Sequence, residues 1–263
     1  MSRGRDASTG AVAVIPARYA SSRFPGKPLA ALTGRPLIQH VVERARMCAG
    51  ISRVIVATDD LRIHDAVRDF GCETIMTRAD HPNGTSRIAE VAQHLDCELV
   101  VNIQGDEPEL EPELVERAIA ALHADREAVM STVVSPFGED EDPSNPNIVK
   151  CAVSLKGRAL LFSRSLIPFH RDGAIAAESG EEAPLPAARP LKHIGLYVYR
   201  RSFLPTFVSL EPTPLELTES LEQMRVIEHG YAIAAALGAS HAQGIDTPEQ
   251  YAAFVSRWRA AHG

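Results

Sequence analysis

Lysine is scarce in this chain of 263 residues: only Lys27, Lys150, Lys156 and Lys192 occur, against 23 arginines. A sequence that so consistently uses arginine places lysine where a compact ammonium on a flexible stem is wanted. Other absences exclude whole classes. No apolar run approaches the ~18 residues of a membrane-spanning helix. The net charge of −7 excludes broad binding to nucleic-acid backbone, which needs a basic face, so any anion site is local. Cys48, Cys72, Cys97 and Cys151 show no CxxC spacing and sit beside apolar residues, as reduced, buried thiols of a cytoplasmic protein do. The ten histidines are scattered without the paired spacing of a zinc site. There is no G-x-S-x-G nucleophile elbow, no dinucleotide GxGxxG and no Walker A loop. Residues 1–10 are polar, with no apolar core, and read as a flexible tail and not a signal peptide.

What is present is an alternation. Val12–Ile15, Val54–Ala57, Thr74–Met76, Leu99–Ile103 and Val129–Val134 are short β-branched runs that predict strands. Leu37–Met47, Leu61–Phe70, Ser86–Leu95 and Pro112–His123 between them carry helical periodicity. Such alternation implies an α/β fold, a mainly parallel sheet with helices on both faces, whose ligands sit beyond the carboxyl ends of the strands. The second half predicts longer strands, Asn145–Ser154, Ala159–Ser163 and His193–Arg200, with a hairpin turn at Lys156-Gly157. Residues 171–190 are rich in Ala, Gly, Glu and Pro and read as a surface excursion. Leu215–His229 predicts one helix with Leu217, Leu221 and Met224 inward, and Pro248–His262 closes the chain. No linker divides residues 11–263, which read as one domain with a smaller strand-rich lobe at about 135–215.

Three stretches carry chemistry. "PARYASSRFPGK" follows the first strand and holds Arg18, Arg23 and Lys27. Pro28 after Gly26-Lys27 should hold Lys27 extended and prevent a helix start, leaving a phosphate binder built from side-chain cations. A solvated basic loop is the bland alternative, but the place after a buried strand favours function. "VVNIQGDEPELEP" sets Asp106 at an exposed strand end, placed to hold a hard cation such as Mg²⁺ or to cap the next helix; Glu107, Glu109, Glu111 and Glu113 read as solvated helix-start acids. "GIDTPEQ" repeats the pattern with Asp246, which alone is as good an N-cap as a ligand. "TRADHPNGTSRIAE" reads equally as a capping segment or as backbone N–H groups around Gly84 for a nucleotide, with His81 at the surface.

These stretches, with "VIVATDD", "NPNIVK", "LFSRSLIPFHR", "HIGLYVYR" and "LTESLEQMRVIEHG", occur in the order found in the 3-deoxy-manno-octulosonate (Kdo) cytidylyltransferase family, which the chain resembles from about residue 11 to 255. The resemblance implies a Rossmann-like nucleotide-sugar transferase fold with a substrate and dimerisation lobe at about 135–215, a Mg²⁺-dependent reaction of CTP with Kdo, a homodimer, and a role in lipopolysaccharide synthesis. Carried over by position, Arg18, Arg23 and Lys27 hold the CTP phosphates, with Arg18, Lys27 and Asp106 as the catalytic set. Pro16 and Ala17 lie at the cytosine, and Arg78, Gly84 and Gln104 complete the nucleotide side. Asp106 and Asp246 hold the metal, and Arg164, His193, Tyr197, Glu222 and Gln223 line the sugar. Two departures stand out. The family's G-T-[ED]-R stretch reads Gly84-Thr85-Ser86-Arg87 here, and residues 171–190 match no family pattern. A related enzyme for another sugar acid, and a non-catalytic nucleotide-binding regulator on the same fold, are the competing readings.

Overall fold

The computed structural model describes residues 10–20, 23–169, 189–240, 242 and 244–262. Residues 1–9 of the expected tail and most of the 171–190 excursion lie outside the described residues. The alternation in the first half is realised as β1 (Ala11–Ala17), α1 (Leu37–Met47), β2 (Ile51–Thr58), α2 (Leu61–Asp69), β3 (Glu73–Met76), α3 (Gly84–Ala92), β4 (Leu99–Asn102), α4 (Pro112–Ala124) and β5 (Ala128–Pro136). The second half adds β6 (Lys150–Val153), β7 (Ala159–Ser163), β8 (Leu191–Arg200), α5 (Leu204–Ser209), α6 (Pro214–Glu219), α7 (Met224–Glu228), β9 (Ala232–Leu237) and α8 (Pro248–His262).

The sheet runs β3-β2-β1-β4-β8-β5-β9, with β6 paired to β7 and β8. β1 pairs in parallel with both β2 and β4, while β8 is inserted antiparallel between β4 and β5. Successive residues of β1 serve opposite layers: Ala13 and Ile15 join a core with α1 and α4, and Val12 and Val14 join one with α3. This double burial explains why β1 reads as a continuous apolar run. A third cluster, Leu37, Ile245, Tyr251, Phe254 and Val255, receives Phe24 and Ala30, so α8 packs against the loop that leaves β1. Tyr251 meets the Phe24 ring at 5.6 Å between centroids and accepts a bond from the Leu32 amide at 2.8 Å.

Three sequence expectations are corrected. The helix expected over Leu215–His229 is two: a capping box between Thr213 and Glu216 opens α6, and Ser220, at φ 53, ends it. Leu221 and Met224 are buried as expected, but Leu217 is 68% exposed, because an apolar period of three to four residues continues across a one-residue left-handed break without recording it. The strand expected from Asn145 begins at Lys150. Residues 145–149 fold instead around the Lys150 ammonium, which donates to the carbonyls of Asn145 at 3.0 Å, Ile148 at 2.7 Å and Arg164 at 2.5 Å. Lys27, expected to be extended, starts a single 3₁₀ turn, Lys27–Leu29, entered through Gly26 at φ 70. Pro28 is tolerated there because the first turn of a helix has no partner for its missing N–H.

Lys150 is fully buried and burial lowers its pKa. Lys150→Met keeps the apolar stem but leaves three carbonyls without a donor, so it should cost roughly 2–4 kcal/mol. Urea unfolding of the variant checks this; an unchanged midpoint would mean the cage adds nothing.

Candidate active site

β1 has parallel neighbours on both sides, so the chain leaves its carboxyl end beside that of β4 at a topological switch point. Pro16 and Ala17 end β1 there, and Gln104 and Asp106 follow β4. Gly105 suits this closeness, since a Cβ there would be crowded at 3.0 Å from the Pro16 carbonyl oxygen. Gly84 opens α3 against the Pro16 ring, where a Cβ would lie 3.3 Å from Cγ.

The third element is the segment entering α8. Ile245 donates its amide to the Asp106 carbonyl at 2.9 Å. Thr247 caps α8, accepting from the Gln250 amide at 3.3 Å, while Gln250 Oε1 accepts from the amides of Asp246 at 2.7 Å and Thr247 at 3.0 Å. Asp246 is therefore not the cap, and its carboxylate turns to the loop. Asp106 is not a helix cap either, since Glu111 occupies that place on α4. Lys27 Nζ lies between the two, 2.9 Å from Asp106 Oδ2 and 3.5 Å from Asp246 Oδ1, and donates to the Ile245 carbonyl at 2.7 Å. Arg23 Nη2 stands 3.2 Å from Asp246 Oδ1. Arg18 Nη2 donates to the His81 carbonyl at 2.7 Å. The loop is held from outside by the Arg62 guanidinium, 3.3 Å over the Tyr19 ring.

His81 is buried and not at the surface; its ring bonds Glu90 and lies 3.2 Å from the Ser86 hydroxyl. Asn83 caps α3 by accepting from the Ser86 amide at 2.8 Å, which bears out the capping reading of this segment. Arg78 is exposed and paired at 3.5 Å with both Asp80 and Glu90. Gln104 Nε2 donates to Asn102 Oδ1 at 3.2 Å.

The residues expected on the sugar side are largely uncharged or already partnered. His193 bonds Thr132 Oγ1 at 2.9 Å between the rings of Phe162 and Tyr197, and burial pushes its pKa down to about 3. Burial raises the Tyr197 phenol well above its ordinary value, so both rings are neutral at pH 7. Glu222 accepts from Asn83 Nδ2 at 2.5 Å and Thr85 Oγ1 at 2.7 Å; burial raises its pKa. Gln223 beside it is buried. Arg164 does not point an unoccupied fork at a ligand: Nε donates to the Glu219 carbonyl at 2.7 Å and Nη1 to the Pro146 carbonyl at 3.1 Å. Glu107, read from sequence as a solvated acid, lines a pocket of about 150 Å³ with Glu111, His193 and Ser240. Burial, then the charges of Asp106 and Glu111, push its pKa up to about 7. Nothing periodic in the sequence distinguishes Glu107 from its acidic neighbours.

A cation-bearing loop facing one carboxylate after β4 and another before α8 across a switch-point crevice, with a neutral flank beyond, defines an α/β nucleotidyltransferase. A family model described as Cytidylyltransferase matches residues 12–233. The 3-deoxy-manno-octulosonate cytidylyltransferase of Syntrophotalea carbinolica is 50% identical over 90% of this chain and 94% of its own length. That of Syntrophobacter fumaroxidans is 49% identical over 93% and 95%. A solved structure of CMP:2-keto-3-deoxy-manno-octonic acid synthetase complexed with CTP superposes with a TM-score of 0.87 at 40% identity, covering 96% of this chain and 99% of that one. A putative glucose-1-phosphate thymidylyltransferase from Bacillus anthracis shares the fold alone, with a TM-score of 0.63 at 13% identity, over 95% and 94%. The chain belongs to the 3-deoxy-manno-octulosonate cytidylyltransferase family.

His193 and Glu107 make opposed predictions for stability in metal-free protein. Between pH ~3 and 6.5 the unfolded chain binds the His193 proton more readily, so His193 makes stability rise with pH. Between about 4.5 and 7 the folded chain binds the Glu107 proton more readily, so Glu107 makes stability fall with pH. Urea midpoints between pH 4.5 and 6.5 should thus climb more steeply with pH in Glu107→Gln and less steeply in His193→Gln. Parallel profiles in both variants would refute the two assignments.

Proposed function

We propose that this chain couples CTP to 3-deoxy-D-manno-octulosonate, releasing pyrophosphate and giving CMP-Kdo for lipopolysaccharide synthesis, as a Mg²⁺-dependent cytoplasmic homodimer. The observation that carries the reading is the convergence of Lys27, Asp106 and Asp246 at the carboxyl ends of β1 and β4. The 40% identity to an enzyme solved with CTP supports the choice of nucleotide. Among the described residues no helix is long and apolar enough to cross a membrane.

The donor set suits magnesium. Two carboxylates already accept from one cation, and among the described residues no cluster of three metal-binding side chains competes with them. Mg²⁺ takes one or two carboxylates and completes its shell with phosphate oxygens and water. Asp106 and Asp246 are its ligands in this reading, and when bound the ion supplies charge neutralisation and a lowered pKa for a coordinated hydroxyl. The chain's own groups do the rest. Arg18, Arg23 and Lys27 bind the triphosphate and offset charge on the departing pyrophosphate. Pro16 and Ala17 place the base at the end of β1. The Kdo anomeric hydroxyl attacks the α-phosphorus in line with that leaving group, so catalysis is chiefly positioning and electrostatics. Neutral His193, Tyr197 and Gln223 suit a polyol because they exchange hydrogen bonds with hydroxyls without carrying charge into a buried site.

Pyrophosphate release from CTP and Mg²⁺ with a panel of sugar acids tests the reading. Kdo should support turnover and sialic acid should not; equal turnover with both, or none with Kdo, overturns it. Lys27→Ala should lower kcat by ~10²–10³, as loss of one preorganised donor does. Asp106→Asn and Asp246→Asn should each lower kcat strongly, and the double variant should be little worse than either, because the two act as one unit. Steady-state kinetics decides, and additive losses would mean separate roles.

A further inference from the structure

We infer that Lys27 is the resident counter-ion of the Asp106–Asp246 pair and keeps divalent cations out of the nucleotide-free site. The inference rests on the metal reading above and concerns what stands in the site beforehand. An ammonium has three N–H donors and no acceptor. Those of Lys27 face Asp106 Oδ2, Asp246 Oδ1 and the Ile245 carbonyl, at 2.9, 3.5 and 2.7 Å. Its side chain is only 13% exposed, less than either carboxylate.

A magnesium ion ligated by both carboxylates would sit ~2.1 Å from the same oxygens, in the space the ammonium fills. The two cations exclude each other by volume and by charge. With Arg23 on Asp246, two positive side chains balance two negative ones, so the nucleotide-free site offers a dication no net attraction. The backbone that carries the two carboxylates has contacts independent of Lys27. The Ile245 amide bonds the Asp106 carbonyl at 2.9 Å, and Gln250 Oε1 fixes the Asp246 amide at 2.7 Å. Without the ammonium, the two carboxylates would keep one cationic neighbour between them, Arg23 on Asp246, and the site would carry a net negative charge.

This also accounts for a lysine in a chain that otherwise favours arginine. A guanidinium fork would grip the carboxylates in a fixed planar geometry. An ammonium on a four-carbon stem can swing from them to a triphosphate, freeing the carboxylates as the phosphates arrive with their own demand for metal. One side chain thus couples nucleotide binding to metal binding, and the coupling runs equally in both directions.

The test is calorimetric titration of Mg²⁺ into nucleotide-free protein. Wild type should bind weakly, Lys27→Arg no more tightly, and the neutral variants Lys27→Met and Lys27→Gln at least ~10-fold more tightly, since a unit charge at this distance is worth more than that in a partly buried site. Mg²⁺ should also raise the Tm of Lys27→Met more than that of wild type. Tight Mg²⁺ binding by the nucleotide-free wild type, or equal affinities in wild type and the neutral variants, overturns the inference. Adding Asp106→Asn separates the two readings. If it abolishes the binding gained in Lys27→Met, the carboxylates are the site. If binding persists unchanged, the metal assignment itself fails and the inference with it. If Asp106→Asn removes Mg²⁺ from wild type and Lys27→Met alike, at equal affinity, only the counter-ion role is lost.

Discussion

A parallel strand with a parallel neighbour on each side can deliver its chain only to the crevice between those neighbours' carboxyl ends, and β1 is such a strand. The rest of the site follows from this constraint. Its loop must emerge over the end of β4, so cations placed in that loop meet whatever acid ends β4. Gly105 permits the approach, and the Ile245 amide on the Asp106 carbonyl brings in the segment before α8. Three stretches that are remote in sequence therefore converge on one ammonium.

The site is divided by charge. On the side proposed for the nucleotide, cations face carboxylates in a partly open crevice, as a polyanionic substrate needs. On the other side, β8 contributes His193 and Tyr197, which burial holds neutral, and the turn between α6 and α7 contributes the buried amide of Gln223. Glu222 joins the two halves, because its carboxylate is held by Asn83 and Thr85 beside Gly84. A residue carried over as a sugar contact here ties the turn between α6 and α7 to the start of α3. Arg164 likewise ties the end of β7 to the end of α6.

Much of this was legible in the residues. The strand–helix alternation, the bounds of α1, β7 and α8, and the place of Asp106 facing the basic loop follow from periodicity and from where each stretch leaves a strand; Asp246 joins them through the family resemblance. Most of the failures turn on a particular side-chain contact or a single backbone angle, which no apolar period records. Ser220 breaks a helix whose apolar period runs on unaltered, and the alanine-rich β9 has no β-branched signature beyond Ile233. The turn at 145–149 exists to surround Lys150, and His81 is buried because Glu90 and Ser86 partner its ring. Asp246 could not be separated from a helix cap until Thr247 was seen to fill that role.

The packing of α8 on the first loop has a consequence for how the molecule comes into being. Phe24, Ala30 and Leu32 gain their partners in Tyr251 and its neighbours, 219 residues further along the chain from Leu32 to Tyr251. A nascent chain can lay down β1, β2 and β4 and pair them as they emerge, because those contacts are satisfied within its first hundred or so residues. The loop that would receive the triphosphate has only part of its support by then, from Arg62 over the Tyr19 ring and the His81 carbonyl on Arg18. Until the segment from Ile245 to Val255 has left the ribosome, Lys27 lacks the Ile245 carbonyl and Asp246, and the loop lacks its aromatic backing. The contacts of Lys27 with Ile245 and Asp246 and the aromatic backing of its loop are thus acquired late in synthesis, after much of the sheet can form.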